Sequence, residues 1–175
     1  MRKWLMCLAG VALAGSALAQ DAAPAYAPDA KLLRPKDYRA WIFLSSGFDM
    51  SYTDSDQAQA HAFNNVFVNR DAYEVFLKTG AWPDKTVLVL ELRAGSGDDP
   101  VLKRGQFQSG RPTGLEAHVK DTAKGGWGFY AFGKDETVAT MIPKNASCYS
   151  CHAANARTET TFTQFYPEIA AIGLK

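Results

Sequence analysis

The sequence lacks a dominant charge of either sign. Its 175 residues include 19 basic and 18 acidic side chains, which gives a formal net charge of +1. A chain with so small a net charge has no extended basic field that would attract nucleic acid or an anionic lipid surface. We therefore expect no nucleic acid among its partners.

Long apolar runs are also missing, apart from a short one near the N-terminus. Arg2 and Lys3 precede an apolar stretch at 4–14, which is too short to span a bilayer. The tripeptide at 17–19 (ALA) then supplies the small residues that a signal peptidase requires. The pattern predicts a cleaved signal peptide over residues 1–19, export to the periplasm and no stable membrane anchor.

Cysteine is scarce, with three in the whole chain. Cys7 lies in the predicted signal peptide, which leaves Cys148 and Cys151 in the mature protein. Their spacing allows a disulfide, a redox-active pair or half of a zinc site. Zinc is disfavoured because there is no second CxxC and because His61 and His118 are distant in sequence. A thioredoxin-like pair is disfavoured because that motif follows an early strand.

The residue after the second cysteine points to another chemistry. Residues 148–152 read CYSCH, which fits the CxxCH attachment motif of c-type haems. The thiols of Cys148 and Cys151 can reach the two vinyl groups on one edge of a porphyrin, and the His152 imidazole can bind the iron. The motif predicts one covalently attached haem c. A disulfide-stabilised binding module without haem is the alternative.

The rest of the mature chain indicates one α+β domain. Residues 20–36 are rich in Ala, Pro and Asp and predict a flexible leader, so that the domain spans 37–175. Strands are predicted at 62–68, 86–92, 106–108, 114–120 and 127–132. Helices are predicted at 37–44, between Asn69 and Gly80, and through the CxxCH motif, with a last segment at 162–172. This order predicts a predominantly antiparallel sheet with flanking helices and a haem site near the C-terminus.

The order of several segments resembles the cytochrome P-460 family. These segments are 41–47 (WIFLSSG), 63–69 (FNNVFVN), 82–84 (WPD), 119–121 (VKD), 125–129 (GGWGF), CxxCH and 162–167 (FTQFYP). The resemblance extends from about Tyr38 to Pro167 and implies a periplasmic, mostly β monohaem protein. It also implies a homodimer and a five-coordinate iron ligated by His152, with Cys148 and Cys151 as the thioether residues. Some family members oxidise hydroxylamine, while the β-type cytochromes c-prime bind nitric oxide or other small gases.

The oxidising members of the family carry a lysine that cross-links to the porphyrin. The resemblance implies a position for it on the strand after the Pro-Asp turn, where this sequence has Leu90 and no lysine. Lys85 or Lys78 would need a shift in register to replace it. This departure argues against hydroxylamine oxidation, so we expect nitric oxide first and hydroxylamine second among small nitrogen ligands.

Other residues are candidates for the open side of the haem. Phe43, Phe63 and Phe67 are predicted to wall a distal pocket, where apolar rings exclude water and favour small neutral molecules. Glu116 is a candidate catalytic group, because oxidation of a nitrogen substrate needs a base near the iron. Their simpler interpretation is that the rings are core residues and that Glu116 is an ordinary strand carboxylate.

A competing function is electron transfer. His61, His118, Met50 or Met141 would then supply a sixth ligand to the iron. The sequence thus leaves two functions open. One is binding or redox conversion of a small nitrogen species, by a ligand carrier or an enzyme, and the other is electron transfer. Both imply a periplasmic redox partner.

Overall fold

A five-stranded antiparallel sheet forms the centre of the protein. The computed structural model describes residues 23–52 and 61–172. The strands lie side by side in chain order: β2 (Ile42–Phe48), β3 (Ala62–Val68), β4 (Val87–Ser96), β5 (Phe107–Asp121) and β6 (Gly126–Phe132). A separate two-stranded ribbon pairs β1 (Leu32–Leu33) with β7 (Val138–Ala139). Helix α1 (Arg70–Thr79) joins β3 to β4, and helix α2 (Ser147–Asn155) follows β7. The predicted α+β class is confirmed.

The two faces of the sheet pack against different groups. Successive residues of a strand point to opposite faces. On the face that we call the first face, Val87 and Val89 of β4 pack in one buried cluster with Val119 of β5. On the opposite, second face, Leu88 packs in another buried cluster with Trp82. The second face is the one that also carries the residues of the candidate site.

Helix α1 forms where the sequence predicts it. Asn69 and Gly80 occupy its N-cap and C-cap, and Gly80 has a left-handed φ of 71°. The side chain of Phe76 is fully buried and stacks on Trp82 with ring centroids 4.0 Å apart. The Asn69 side chain makes no capping bond; its oxygen accepts a hydrogen bond from the Val87 N–H at 2.8 Å. Asn69 therefore joins the start of the helix to the start of β4.

Three predicted elements differ from the structure. The helix predicted at 37–44 is wrong, because only Tyr38–Ala40 form a short 3-10 helix and the apolar residues from Ile42 onward pair with β3. The strands predicted at 106–108 and 114–120 are one continuous β5. The last segment contains the 3-10 helix Thr163–Phe165 followed by turns. Short apolar runs fit a helix or a strand equally well, and strand pairing decides between them.

Part of the predicted flexible leader is packed on the domain. Leu32 is 1% exposed and lies in the β1–β7 ribbon, while Tyr26 packs against the same buried cluster. The Arg34 guanidinium donates to the backbone carbonyls of Gly133, Lys134 and Glu136. These contacts hold Tyr26, Leu32 and Arg34 against the domain. The predicted signal peptide lies outside the described residues. No helix in the described ranges is long and apolar enough to cross a membrane.

Candidate functional site

A cavity of about 290 Å³ lies on the second face of the sheet. Its floor is a row of side chains from four neighbouring strands. Ser45, Val66, Leu90 and Glu116 lie opposite one another in strand register, and all four line the cavity. Helix α2 and the segment after it form the other wall. The lining is mostly apolar, which favours small neutral ligands over hydrated ions.

The CxxCH motif forms the first turns of α2. Cys148 and Cys151 are free thiols in the structure and lie about one turn apart on this helix. The helix is fixed to the sheet through Tyr149, whose hydroxyl accepts from the Phe129 N–H and donates to the Ile142 carbonyl, both at 3.1 Å. The motif is therefore held beside the cavity.

The imidazole of His152 is fixed by a backbone carbonyl. Its Nδ1 lies 2.8 Å from the carbonyl oxygen of Thr160. A carbonyl oxygen can only accept, so Nδ1 carries the proton and Nε2 presents a lone pair. Burial lowers the pKa of His152, and the bond to Thr160 only partly opposes this shift. A neutral imidazole with a free Nε2 is the form that binds a metal.

A second histidine, His118, lies next to His152. The two ring centroids are 5.5 Å apart, and His118 Nε2 lies 3.1 Å from the hydroxyl oxygen of Thr160. Burial holds the pKa of His118 well below its ordinary value. Thr160 therefore contacts both imidazoles, with its carbonyl on His152 and its hydroxyl on His118. His118 Nε2 therefore bonds to Thr160, on the Nδ1 side of the His152 ring, and not to His152 Nε2.

The structure brings Glu116 into the cavity. It lies on β5 between Leu90 of β4 and Ala131 of β6. The carboxyl is reached from the cavity, but the surrounding protein desolvates it and raises its pKa. A carboxyl with a raised pKa keeps its proton to higher pH, so it can donate as well as accept a hydrogen bond.

Leu90 lies on the cavity floor next to Glu116. Lys85 is turned elsewhere, since its ammonium donates to Asp121 at 2.5 Å. Lys78 lies in the last turn of α1. Within residues 23–52 and 61–172, no lysine lines the cavity.

The three phenylalanines predicted to wall the pocket are on the other side of the sheet. Phe43 and Phe67 lie opposite each other on β2 and β3, with ring centroids 5.6 Å apart. Phe63 and Phe67 alternate with Val66, which faces the cavity, so the register places the phenylalanines on the first face. This placement corrects the prediction for Phe43, Phe63 and Phe67. The aromatic side chains that do line the cavity include Tyr52, Phe129, Phe162 and Phe165.

The four candidate sixth ligands are separated by the fold. His61 is half-exposed and its Nδ1 lies 2.6 Å from Asp49, outside the set of cavity residues. Met141 packs against the first-face cluster. Met50 and His118 line the cavity. Of the four, the structure thus brings only these two side chains to the candidate site.

These residues fit a haem. Two free thiols one helical turn apart, a neutral imidazole with a free Nε2 and an adjoining apolar cavity are the groups that such a cofactor needs from a protein. The fold and the site together define an α+β protein with a candidate haem-binding cavity on its sheet. The sequence matches the Cytochrome P460 family over residues 35–163, and the chain belongs to that family. Membership implies a haem cofactor. No curated protein matches the sequence.

Several residues of the site were not among the candidates that the sequence suggests. Phe129 has a sequence signal, because alternate residues of β6 share one face. Phe162 has one as well, because it opens the 162–167 segment that resembles the family, whereas Thr160, in the irregular backbone after the CxxCH helix, has none that we recognise. Their contacts with the site depend on how that segment folds back.

Proposed function

We propose that the protein is a periplasmic c-type cytochrome that carries one haem and binds a small nitrogen species. Cys148 and Cys151 attach the haem in this proposal, and His152 is its axial ligand. The observation that carries the proposal is the His152 imidazole, which is fixed by Thr160 with its free nitrogen available beside an apolar cavity. Nitric oxide is the first candidate ligand and hydroxylamine the second.

The residues of the cavity have separate roles in this proposal. The haem, when bound, supplies an iron that can take a small ligand and exchange an electron. Val66 and Leu90 exclude water from the floor of the cavity and favour a neutral diatomic molecule. Glu116 can donate a hydrogen bond to the ligand in its acid form, which the raised pKa preserves to higher pH than for an ordinary carboxyl.

Leu90 supports nitric oxide over hydroxylamine oxidation. It lies on the cavity floor, at the sequence position where the family resemblance implies the cross-linking lysine of the oxidising members. Lys85 is engaged with Asp121 instead. We therefore infer a haem that is not cross-linked to lysine.

Visible spectra of the ferric and ferrous protein test the proposal. The full chain, expressed with the haem maturation machinery and exported, should show a high-spin, five-coordinate iron whose spectrum changes when nitric oxide is added. A colourless protein would contradict the proposal. A strongly red-shifted ferrous band would reveal a lysine cross-link and return hydroxylamine oxidation to first place.

Electron transfer is the second candidate function. Met50 supports it, because its thioether side chain lines the cavity and methionine is an axial ligand in electron-transfer cytochromes. A low-spin, six-coordinate spectrum of the resting protein would favour this function over the first. Either function needs a redox partner in the periplasm.

We also propose that the protein is exported and forms a homodimer. The N-terminal sequence pattern supports export. Phe43 and Phe48, which are 53% and 44% exposed on the first face, supply apolar surface that a second copy would cover. Sedimentation of the purified protein as a monomer would contradict the dimer.

The Glu116→Gln variant should remove a pH dependence from ligand binding. The pKa of Glu116 is raised, so the acid form that can donate a hydrogen bond persists above the usual carboxyl range and is lost as the pH rises through the raised pKa. We expect the affinity of the wild-type protein for nitric oxide to fall over that interval by about twofold to tenfold, which is the worth of one hydrogen bond. The glutamine amide donates at every pH, so the variant should show a flat profile.

Absorbance titrations of both proteins with nitric oxide at a series of pH values measure the effect. Glu168→Gln, which changes an exposed carboxyl outside the cavity, is the matched control and should keep the wild-type profile. A Glu116→Gln profile that follows the wild-type curve would show that another group is responsible.

A further inference from the structure

The chain after the CxxCH helix folds back as a tight turn, which we call the 158–161 turn. Thr158 and Thr161 form an isolated antiparallel bridge in which each N–H donates to the other's carbonyl, at 3.3 and 2.9 Å. The Thr161 hydroxyl also donates to the Thr158 carbonyl at 2.7 Å. The carbonyl that accepts the Nδ1 proton of His152 belongs to Thr160, inside this turn. The shape of the turn therefore decides where that acceptor lies.

The turn is anchored on both sides of Thr160. Before it, the Glu159 carboxylate pairs with the Lys120 ammonium at 2.8 Å and accepts from the Trp127 indole N–H at 2.5 Å. After it, the hydroxyl of Thr161 accepts from the Trp82 indole N–H at 2.8 Å, and both groups are buried. Two of these partners belong to β5 and β6, and Trp82 belongs to the turn before β4. The sheet therefore holds the turn at Glu159, and the segment before β4 holds it at Thr161.

The third anchor is on Thr160 itself. Its hydroxyl is hydrogen-bonded to His118 Nε2 at 3.1 Å. The His118 ring is held in place by stacking on Phe129, with centroids 4.0 Å apart, and by packing on Trp127 at 4.4 Å. One residue thus carries a hydroxyl fixed to β5 and a carbonyl bonded to His152.

We propose that the 158–161 turn positions His152, and that the His118–Thr160 hydrogen bond controls how firmly the Thr160 carbonyl accepts the Nδ1 proton. His118 and Thr160 are positioning residues, because they act on the iron through His152. A firmer bond at Nδ1 makes Nε2 a more basic donor, as hydrogen bonds to metal-bound histidines generally do. The inference rests on the proposed function, since it requires His152 to be the axial ligand.

A pair of variants at one position tests the proposal. Thr160→Val keeps the shape of the side chain and removes the hydroxyl, whereas Thr160→Ser keeps the hydroxyl. In the full-length, haem-loaded protein we expect Thr160→Val to lower the frequency of the iron–histidine stretching vibration and to shift the reduction potential upward. Both changes follow from weaker donation by Nε2, which stabilises the ferric iron less. Thr160→Ser should keep both values close to wild type.

A variant of the other partner provides an independent test. His118→Phe keeps an aromatic ring for stacking and removes the nitrogen, so it should shift the vibration and the potential in the same direction. The double variant Thr160→Val/His118→Phe should add nothing further, because both changes remove the same bond. If Thr160→Val does not accumulate as folded protein, His118→Phe alone carries the test.

Three outcomes would overturn the proposal. Variants that unfold at lower temperature but keep the wild-type vibration and potential would show that the pair only stabilises the fold. A wild-type protein that carries no haem would overturn the proposed function as well. If the wild type carries haem but neither variant changes the iron–histidine vibration, this inference alone would be overturned.

Discussion

Replacing His152 by alanine should abolish the wild-type axial ligation of the iron. The Nε2 of His152 carries the lone pair, because its Nδ1 proton is held by the Thr160 carbonyl at 2.8 Å. Alanine leaves no donor at that place, while Cys148 and Cys151 are still present to attach the haem. We expect purified His152→Ala protein to be coloured but to lose the ferric and ferrous absorption bands of the wild type.

His61→Ala is the matched control for that experiment. His61 lies outside the cavity and its Nδ1 bonds to Asp49 at 2.6 Å, so its loss should leave the resting spectrum unchanged. An unchanged spectrum in His152→Ala would show that His152 is not a ligand of the iron. A collapse of low-spin bands in His61→Ala would identify His61 as a sixth ligand and favour electron transfer.

Replacing Glu91 by leucine should cost about 3–5 kcal/mol of folding free energy, the penalty for breaking a buried ion pair. Glu91 is 1% exposed on the first face of β4, and its carboxylate accepts from Arg93 Nε at 2.7 Å, Asn65 Nδ2 at 3.2 Å and the Tyr38 hydroxyl at 2.5 Å. It also pairs with the Arg39 guanidinium. Leucine would leave the Tyr38 hydroxyl, the Asn65 amide and the Arg93 guanidinium facing an apolar group, whereas the half-exposed Arg39 could turn to solvent.

Thermal and denaturant unfolding measure the loss. A cost of this size lowers the unfolding temperature by on the order of 10 °C in a chain of this length. The control is Glu74→Leu on the exposed side of α1, which should change the stability by less than about 0.5 kcal/mol. Because Glu91 is on the face opposite the cavity, the folded fraction of Glu91→Leu should keep the wild-type visible spectrum. A loss of stability below about 1 kcal/mol would show that the network is replaceable.

Local sequence patterns predicted the elements that have clear boundaries. The strand at 62–68 agrees with β3 (Ala62–Val68), where an apolar, β-branched run ends at the helix-starting Asn69. The helix through the CxxCH motif agrees with α2. The whole of β2 was missed because its apolar residues fit a helix or a strand, and only pairing with β3 distinguishes the two.

The direction of side chains was harder to predict than the position of strands. Phe43 was expected in the cavity, but a one-residue change of register moves a whole set of side chains to the opposite face. The pairing of β2 with β3 also shifts register between Phe43 and Ser45, and no local pattern marks such an irregularity. Glu116 was named because oxidation of a nitrogen substrate needs a base, and Leu90 was named from the family resemblance; the structure places both on the cavity floor.

The support behind His152 depends on contacts between distant parts of the chain. The hydrogen bond between His118 and Thr160 joins residues 42 positions apart. The sequence suggests His118 as a direct ligand, but it carries no information about which residue the imidazole nitrogen meets. Such a contact is a property of the folded chain and not of either segment alone.

The single strand β5 links the lining of the cavity to the support of His152, so the two cannot be adjusted independently. Glu116 faces the cavity from this strand, and two residues later His118 bonds to Thr160, whose carbonyl holds the His152 imidazole. Their backbones are about 7 Å apart along one extended strand. With His152 as the proposed iron ligand, an engineered change that bends or shifts this strand to alter ligand selectivity would also alter the electronic character of the iron. Redesign of the pocket is therefore best confined to side chains on β2 and β3.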